Sequence, residues 1–152
     1  MVDLYALTPE RENELNLALQ SLFYAFRAVV ARPDALLAEQ GLSRVHHRIL
    51  FFVGRTPGLS VNALLAILNV SKQSLNEPLR RLTELGYIQS EVHERDRRVK
   101  RLSLTGSGQA LEAALSGDQR QRFAKVFAEL GVEDEAAWRR VMERLADLDV
   151  QA

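Results

Sequence analysis

Residues 60–105, SVNALLAILNVSKQSLNEPLRRLTELGYIQSEVHERDRRVKRLSLT, change their hydrophobic period part-way, and that change decides the fold. In the first half the apolar residues recur at helical spacing. Ser60 is placed to cap a short helix carrying Leu64, Leu65 and Leu68, which Asn69 ends. Ser71 is placed to cap a second, with Leu75, Leu79 and Leu82 inward and Gly86 as its stop. From Tyr87 the spacing drops to two. Tyr87-Ile88-Gln89-Ser90-Glu91-Val92 alternates, with Ile88, Ser90 and Val92 on one side, and Arg101-Leu102-Ser103-Leu104 alternates again. His93-Glu94-Arg95-Asp96-Arg97-Arg98 lies between them as the charged tip of a hairpin.

Outward from this stretch the chain reads as helix on both sides. Ser43 can cap a helix whose buried face is Val45, Ile49, Phe52 and Val53, closed by Pro57-Gly58. Thr8 followed by Pro9 and Glu10 marks an earlier helix start. Its stripe is Leu15, Leu19, Leu22, Phe23, Phe26 and Val30. Pro33 is expected to interrupt it, leaving a short piece with Leu36 and Leu37 that ends at Gly41. Downstream, Thr105 caps a helix through Leu111, Ala114 and Leu115, with a bend or brief break expected at Gly117. Phe123, Val126, Phe127 and Leu130 continue to Gly131, and a last helix carries Trp138, Val141, Met142, Leu145 and Leu148. Gly106-Ser107-Gly108 lacks the strand-loop-lysine context of a phosphate loop and fits a helix start. Helix, turn, helix, then hairpin is the order of a winged helix-turn-helix. The expected fold is mainly α with a small β-hairpin wing, in one domain over 1–152. Residues 8–41 would be N-terminal dimerisation helices, 43–104 the winged helix-turn-helix, and 105–150 C-terminal dimerisation helices. The apolar residues of the last helix exceed what a short terminal helix needs and call for a second copy of the chain.

The chain of 152 residues has no cysteine, which removes disulfides, thiolate catalysis and cysteine-ligated zinc. Its N-terminus, MVDLYALTPEREN, lacks the basic flank and apolar run of a signal peptide. No apolar stretch approaches the roughly 20 residues that span a bilayer. A cytoplasmic location without membrane association is the expectation. Twenty basic and twenty acidic side chains cancel. Their distribution is uneven: residues 44–101 hold eleven basic and five acidic side chains, against three and six before them and six and nine after. A basic centre between acidic flanks suits a segment that faces DNA.

The helix that Ser71 caps is the candidate recognition helix. The start of the second helix of a helix-turn-helix enters the major groove. There Gln73 and Asn76 suit adenine edges and Lys72 suits guanine or phosphate. Ser74 stands with them as a base reader, and the helix amides from Ser71 to Ser74 are placed for a phosphate. Arg80 and Arg81 lie later and suit the DNA backbone. In the wing, Arg95, Arg97, Arg98 and Lys100 suit the negative potential of a narrow minor groove, and Asp96 can pair with a neighbouring arginine. Pro78 lies inside the recognition helix, where a kink or tightened turn is expected.

At these residues the sequence resembles the multiple-antibiotic-resistance regulator (MarR) family. The likeness rests on Val70-Ser71-Lys72-Gln73-Ser74-Leu75, Leu79-Arg80-Arg81-Leu82, Gly86-Tyr87-Ile88, and Asp96-Arg97-Arg98-Val99-Lys100-Arg101-Leu102-Ser103-Leu104-Thr105-Gly106. Leu42-Ser43 and Ile49-Leu50 also fit. The wing's Asp-x-Arg followed by Leu-Thr is the most specific part, and Arg98 and Asp96 match its arginine and its partner. The resemblance implies a two-fold dimer, a ligand-responsive repressor on double-stranded DNA. It also implies a small aromatic or anionic ligand between the dimer helices and the winged body. Phe23, Phe26, Arg27 and His46 are the candidates for such a pocket, although Phe23 and Phe26 read first as core.

Readings of other classes stay open at this point. One is a winged protein-interaction module without DNA binding, which Glu77, Pro78 and the zero net charge favour. The other is a metal or small-ligand sensor built on His46 or His47. Adjacent helical residues point about 100° apart, and only His93 stands besides, so neither a metal nor a cofactor is expected. No nucleophile–base constellation points to an enzyme. One imidazole is expected to be packed and hydrogen-bonded, the other to line a surface or pocket.

Overall fold

The computed structural model describes residues 6–92 and 95–148. His93 and Glu94 of the expected hairpin tip, the first five residues, and the end of the 105–150 segment lie outside the described residues. The element order is α1 (Pro9–Glu39), α2 (Arg44–Arg55), β1 (Leu59–Ser60), α3 (Val61–Leu68), α4 (Lys72–Glu84), β2 (Ile88–Val92), β3 (Lys100–Leu104), α5 (Gly106–Leu130) and α6 (Val132–Asp147). This is the winged helix-turn-helix read from the change of period, flanked by long helices.

Capping explains most of the boundaries. The hydroxyls of Thr8, Ser60, Ser71 and Thr105 accept from the backbone N–H of Arg11, Ala63, Ser74 and Gly108 at 3.0–3.2 Å. Each satisfies an amide that the first helical turn leaves open. Asn69 ends α3 in the left-handed region at φ 53°, a conformation asparagine tolerates better than most residues.

Three expectations are corrected. Pro33 does not interrupt the first helix, which runs unbroken for 31 residues with Pro33 buried. Proline removes the N–H that would bond the carbonyl four residues earlier. That carbonyl belongs to Val29, and it accepts instead from Gln119 Nε2 of α5 at 3.2 Å. A tertiary hydrogen bond replaces the missing helical one. Gly117 does not break α5 either. A helical glycine costs about 1 kcal/mol against alanine, and the burial of Leu115 and Ser116 beside it holds the helix. Phe23 and Phe26 are not core: they are 61% and 47% exposed. Most of α1 before residue 29 is exposed, so the stripe that reads as inward is left largely uncovered by its own chain, with Phe26 bordering Arg44 of α2. Pro78, for its part, is buried within a continuous α4.

The sheet is three-stranded and antiparallel, in the order β1-β3-β2. Ile88 pairs with Leu104 and Ser90 with Leu102, and the two-residue β1 sets Leu59 against Leu102. A strand of two residues shows no alternation, so the sequence did not reveal β1. Only Ile88 of β2 is buried, and Leu102 of β3 is buried opposite Ser90; past that pair both strands are exposed as a wing. The core is Ile49, Leu50 and Val53 of α2, Leu64 of α3, Leu75 and Leu82 of α4, Ile88 and Leu102 of the sheet, and Leu111 and Leu115 of α5, with Leu37 closing it from α1. Burying each such side chain contributes about 1.5–3 kcal/mol.

Candidate nucleic-acid interface and the adjoining cavity

The start of α4 presents its polar side chains to solvent. Ser71 and Ser74 are tied to each other, Oγ to Oγ at 2.9 Å, so they set the helix start. Lys72, Gln73 and Asn76 are exposed beside them. Leu75 and Leu82 anchor the opposite face at 2% and 0% exposure. Rotation of α4 about its axis is therefore fixed by its core residues, and the polar edge is held outward. Further along, Arg80 pairs with Glu84 at 3.6 Å, and Arg81 is half-buried.

The wing turn has its own local logic. Val99 N–H donates to Asp96 O at 3.0 Å, closing a β-turn with aspartate at its first position. The Asp96 carboxylate accepts from Arg98 N–H at 3.0 Å and from Arg98 Nε at 3.1 Å. An Asx turn of this kind is why Asp suits the position. The Arg98 side chain is 91% exposed, so the pair adds at most about 1 kcal/mol to stability. Its effect is to orient the guanidinium at the tip. Arg95, Arg97 and Lys100 are exposed around it. Arg101 differs: its Nη1 donates to Gly58 O at 3.1 Å and fastens β3 to the turn before β1.

The adjacent histidines point into different surroundings. His46 is 7% exposed, and its Nδ1 accepts from Ser43 N–H at 3.0 Å. It takes the place that Glu or Gln occupies in a capping box. Its Nε2 is buried without a hydrogen-bond partner. Burial pushes its pKa below the ordinary value, with Glu77 opposing and Arg81 assisting. His47 Nε2 lies 2.9 Å from Ser116 Oγ of α5, and burial lowers its pKa too, against Glu112 and Asp34. Among the described residues no three His, Cys, Asp or Glu side chains gather as a metal site would require.

His47 lines a cavity of about 190 Å³ between α1, α2 and α5, with Phe26, Val30, Arg44, Arg48, Phe51 and Gln119. Arg44 is held there by Asp34, Nη2 to Oδ2 at 2.8 Å, and lies 5.3 Å from the centroid of Phe26. The Arg44 hydrogen bonds hold the Asp34 carboxyl below its usual range. Of the four residues considered for a ligand pocket, the fold brings Phe26 here. His46 faces Ser43 instead. Arg27 lies over the Phe23 and Tyr24 rings at 5.8 and 5.1 Å, and neither Phe23 nor Arg27 is among the lining residues. Arg44, His47, Arg48 and Phe51 form an i, i+3, i+4, i+7 face, the signal in the sequence that marks this wall.

Both histidines take up a proton less readily in the fold than in the unfolded chain. Below pH about 6.5 the unfolded chain therefore binds more protons, and stability falls as pH falls. In His46→Gln the capping acceptor remains while the titrating group is gone. Its urea midpoint is expected to drop less between pH 7.5 and 5.5 than that of the wild type; an equal drop would refute this assignment.

A family model described as the MarR family matches residues 40–99. The transcriptional regulator PetP of Rhodobacter capsulatus is 38% identical over 136 residues, covering 90% of this chain and 82% of PetP. This chain belongs to the MarR family. Like its relatives it is a DNA-binding transcriptional regulator and not an enzyme. The transcriptional repressor Rv2887 of Mycobacterium tuberculosis is 29% identical over 126 residues, 82% of this chain and 90% of Rv2887. A structure of Rv2887 in complex with p-aminosalicylic acid matches this MarR-family fold with a TM-score of 0.56 over 84% of this chain and 97% of that one, at 24% identity. FabT of Streptococcus pneumoniae, solved in complex with DNA, has a TM-score of 0.74 at 21% identity, covering 89% and 94%. No described helix of the MarR-family chain is long and apolar enough to cross a membrane.

Proposed function

We propose that this MarR-family regulator is a cytoplasmic homodimeric repressor that leaves its operator when a small aromatic or anionic molecule enters the cavity lined by Phe26, Arg44 and His47. The observation that carries the proposal is that one chain exposes two surfaces. The exposed polar edge of α4 and the Asp96-held Arg98 face outward together, while the first and last helices leave their apolar residues uncovered. Lys72, Gln73 and Asn76 read base edges, and Ser71 and Ser74 present the helix start to a phosphate. Arg80 and Arg81 hold the backbone, and Arg95, Arg97, Arg98 and Lys100 enter the minor groove. On α1, Leu19, Leu22 and Phe23 are 65%, 53% and 61% exposed; on α6 Val141 and Leu145 are 54% and 53%, and Leu148 just past its end is 60%. Apolar surface on this scale in a DNA-reading protein fits a second copy. The 8–41 and 105–150 segments then serve as dimerisation helices around the 43–104 body. A repressor acts where its DNA is, which supports the cytoplasmic reading. The complex of Rv2887 with p-aminosalicylic acid supports the ligand class.

Hydroxyl-radical footprinting tests the two-fold reading on fragments that the protein selects from its own genome. Two protected half-sites are expected, their centres about 34 Å or one helical turn apart. A single unpaired half-site would contradict the dimer.

A further inference from the structure

Beside Pro33, Gln119 donates to Val29 a hydrogen bond that a cavity occupant can reach. The Val29 carbonyl has lost its helical donor because Pro33 carries no N–H. Gln119 Nε2 fills the gap at 3.2 Å, and the same Gln119 lines the cavity beside Val30 and Arg44. Arg44 in turn holds Asp34, one residue beyond Pro33, with Nη2 to Oδ2 at 2.8 Å. The α1 segment 29–34 is thus fastened on both sides of its missing bond by two side chains of the cavity wall. Both are donors, one amide and one guanidinium, and an entering carboxylate is an acceptor for both.

We propose that Gln119 is the residue that keeps α1 continuous through Pro33, and that a carboxylate in the cavity draws Gln119 and Arg44 onto itself and loosens α1 at residues 29–34. This rests on the ligand reading above and adds how the ligand acts. The occupant does not push the recognition helix. It removes the substitute hydrogen bond of a proline-interrupted helix, and the exposed apolar half of α1 is released from the winged body at that point. Pro33 is the reason the device exists: an ordinary residue there would bond Val29 itself and leave Gln119 without consequence.

Hydrogen exchange over residues 30–38 of the full-length protein tests this in wild type, Gln119→Leu, Pro33→Ala and the double variant. Gln119→Leu is expected to speed exchange in that segment about tenfold without ligand, roughly the loss of one net hydrogen bond. In the Pro33→Ala background the same substitution should change nothing, because residue 33 then donates to Val29. Gln119→Glu, which keeps the size and loses the donor, should loosen the segment as Gln119→Leu does and covers the case in which leucine misfolds. Millimolar p-aminosalicylate should speed exchange in the wild type well beyond its effect in Pro33→Ala, where only the Arg44–Asp34 tie is left to lose. Equal loosening by Gln119→Leu in both backgrounds, or none in either, overturns the proposal. Unchanged exchange of the wild type with p-aminosalicylate overturns its ligand half. Operator binding by the wild type is measured in parallel; its absence would count against the repressor reading while the ligand-free exchange data still decide the role of Gln119.

Discussion

Leu22→Asp is expected to weaken self-association about a thousandfold while leaving the protomer folded. Leu22 is 53% exposed on α1 and takes no part in the buried core. A carboxylate there costs the protomer little. In a two-fold interface the change occurs twice. At about 2 kcal/mol for each well-buried interface position, the loss is about 4 kcal/mol, close to three decades in dissociation constant. Sedimentation velocity at micromolar concentration would show monomer for the variant and dimer for the wild type. Identical dissociation constants would mean that the first helix lies outside the interface.

Gly108→Ala is expected to cost about 3 kcal/mol, although alanine in a helix ordinarily gains about 1 kcal/mol over glycine. A Cβ at this position would fall on the carbonyl oxygen of Tyr87, with its carbonyl carbon and Cα at 2.9 and 3.2 Å. That carbonyl is fixed, because it accepts from Thr105 N–H at 3.1 Å while Tyr87 N–H donates to Leu82 O at 2.9 Å. Neither partner can yield without moving the junction of α4, β2 and α5, so the penalty is that of overpacking against backbone. A fall in Tm of about 10 °C follows for a chain of this size. Gly117→Ala is the control: nothing lies within 4 Å of its Cβ, and it should hold or raise Tm. A Gly108→Ala variant as stable as wild type would show that the close approach is absent.

The parts of the fold that were legible in the sequence are those decided locally. Thr8, Ser60, Ser71 and Thr105 announce helix starts through a hydroxyl and an amide three residues on. The alternation from Tyr87 announces the wing, and Asp96 the arginine pair at its tip. What could not be read is decided at a distance. Pro33 looks like a stop because the donor that rescues Val29 sits 90 positions along the chain. Phe23 and Phe26 look like core because periodicity says that a face is covered without saying by what. The cavity draws its wall from three helices, and the choice of His47 over His46 turns on one being consumed by the cap of Ser43. Nothing in a pair of adjacent histidines says which one that is.

Reading of DNA by the α4 edge and the Arg98 wing is the step on which the proposed function depends. Fluorescence anisotropy with a duplex from the gene's own upstream region, across a salt series, tests it most directly for wild type and Arg98→Ala. Tighter binding to that duplex than to a scrambled one is expected, with a steep fall in affinity with salt. Arg98→Ala should lose about tenfold and show a shallower salt slope. Wild-type protein that binds neither duplex at low salt, or an Arg98→Ala variant indistinguishable from it, would contradict the account.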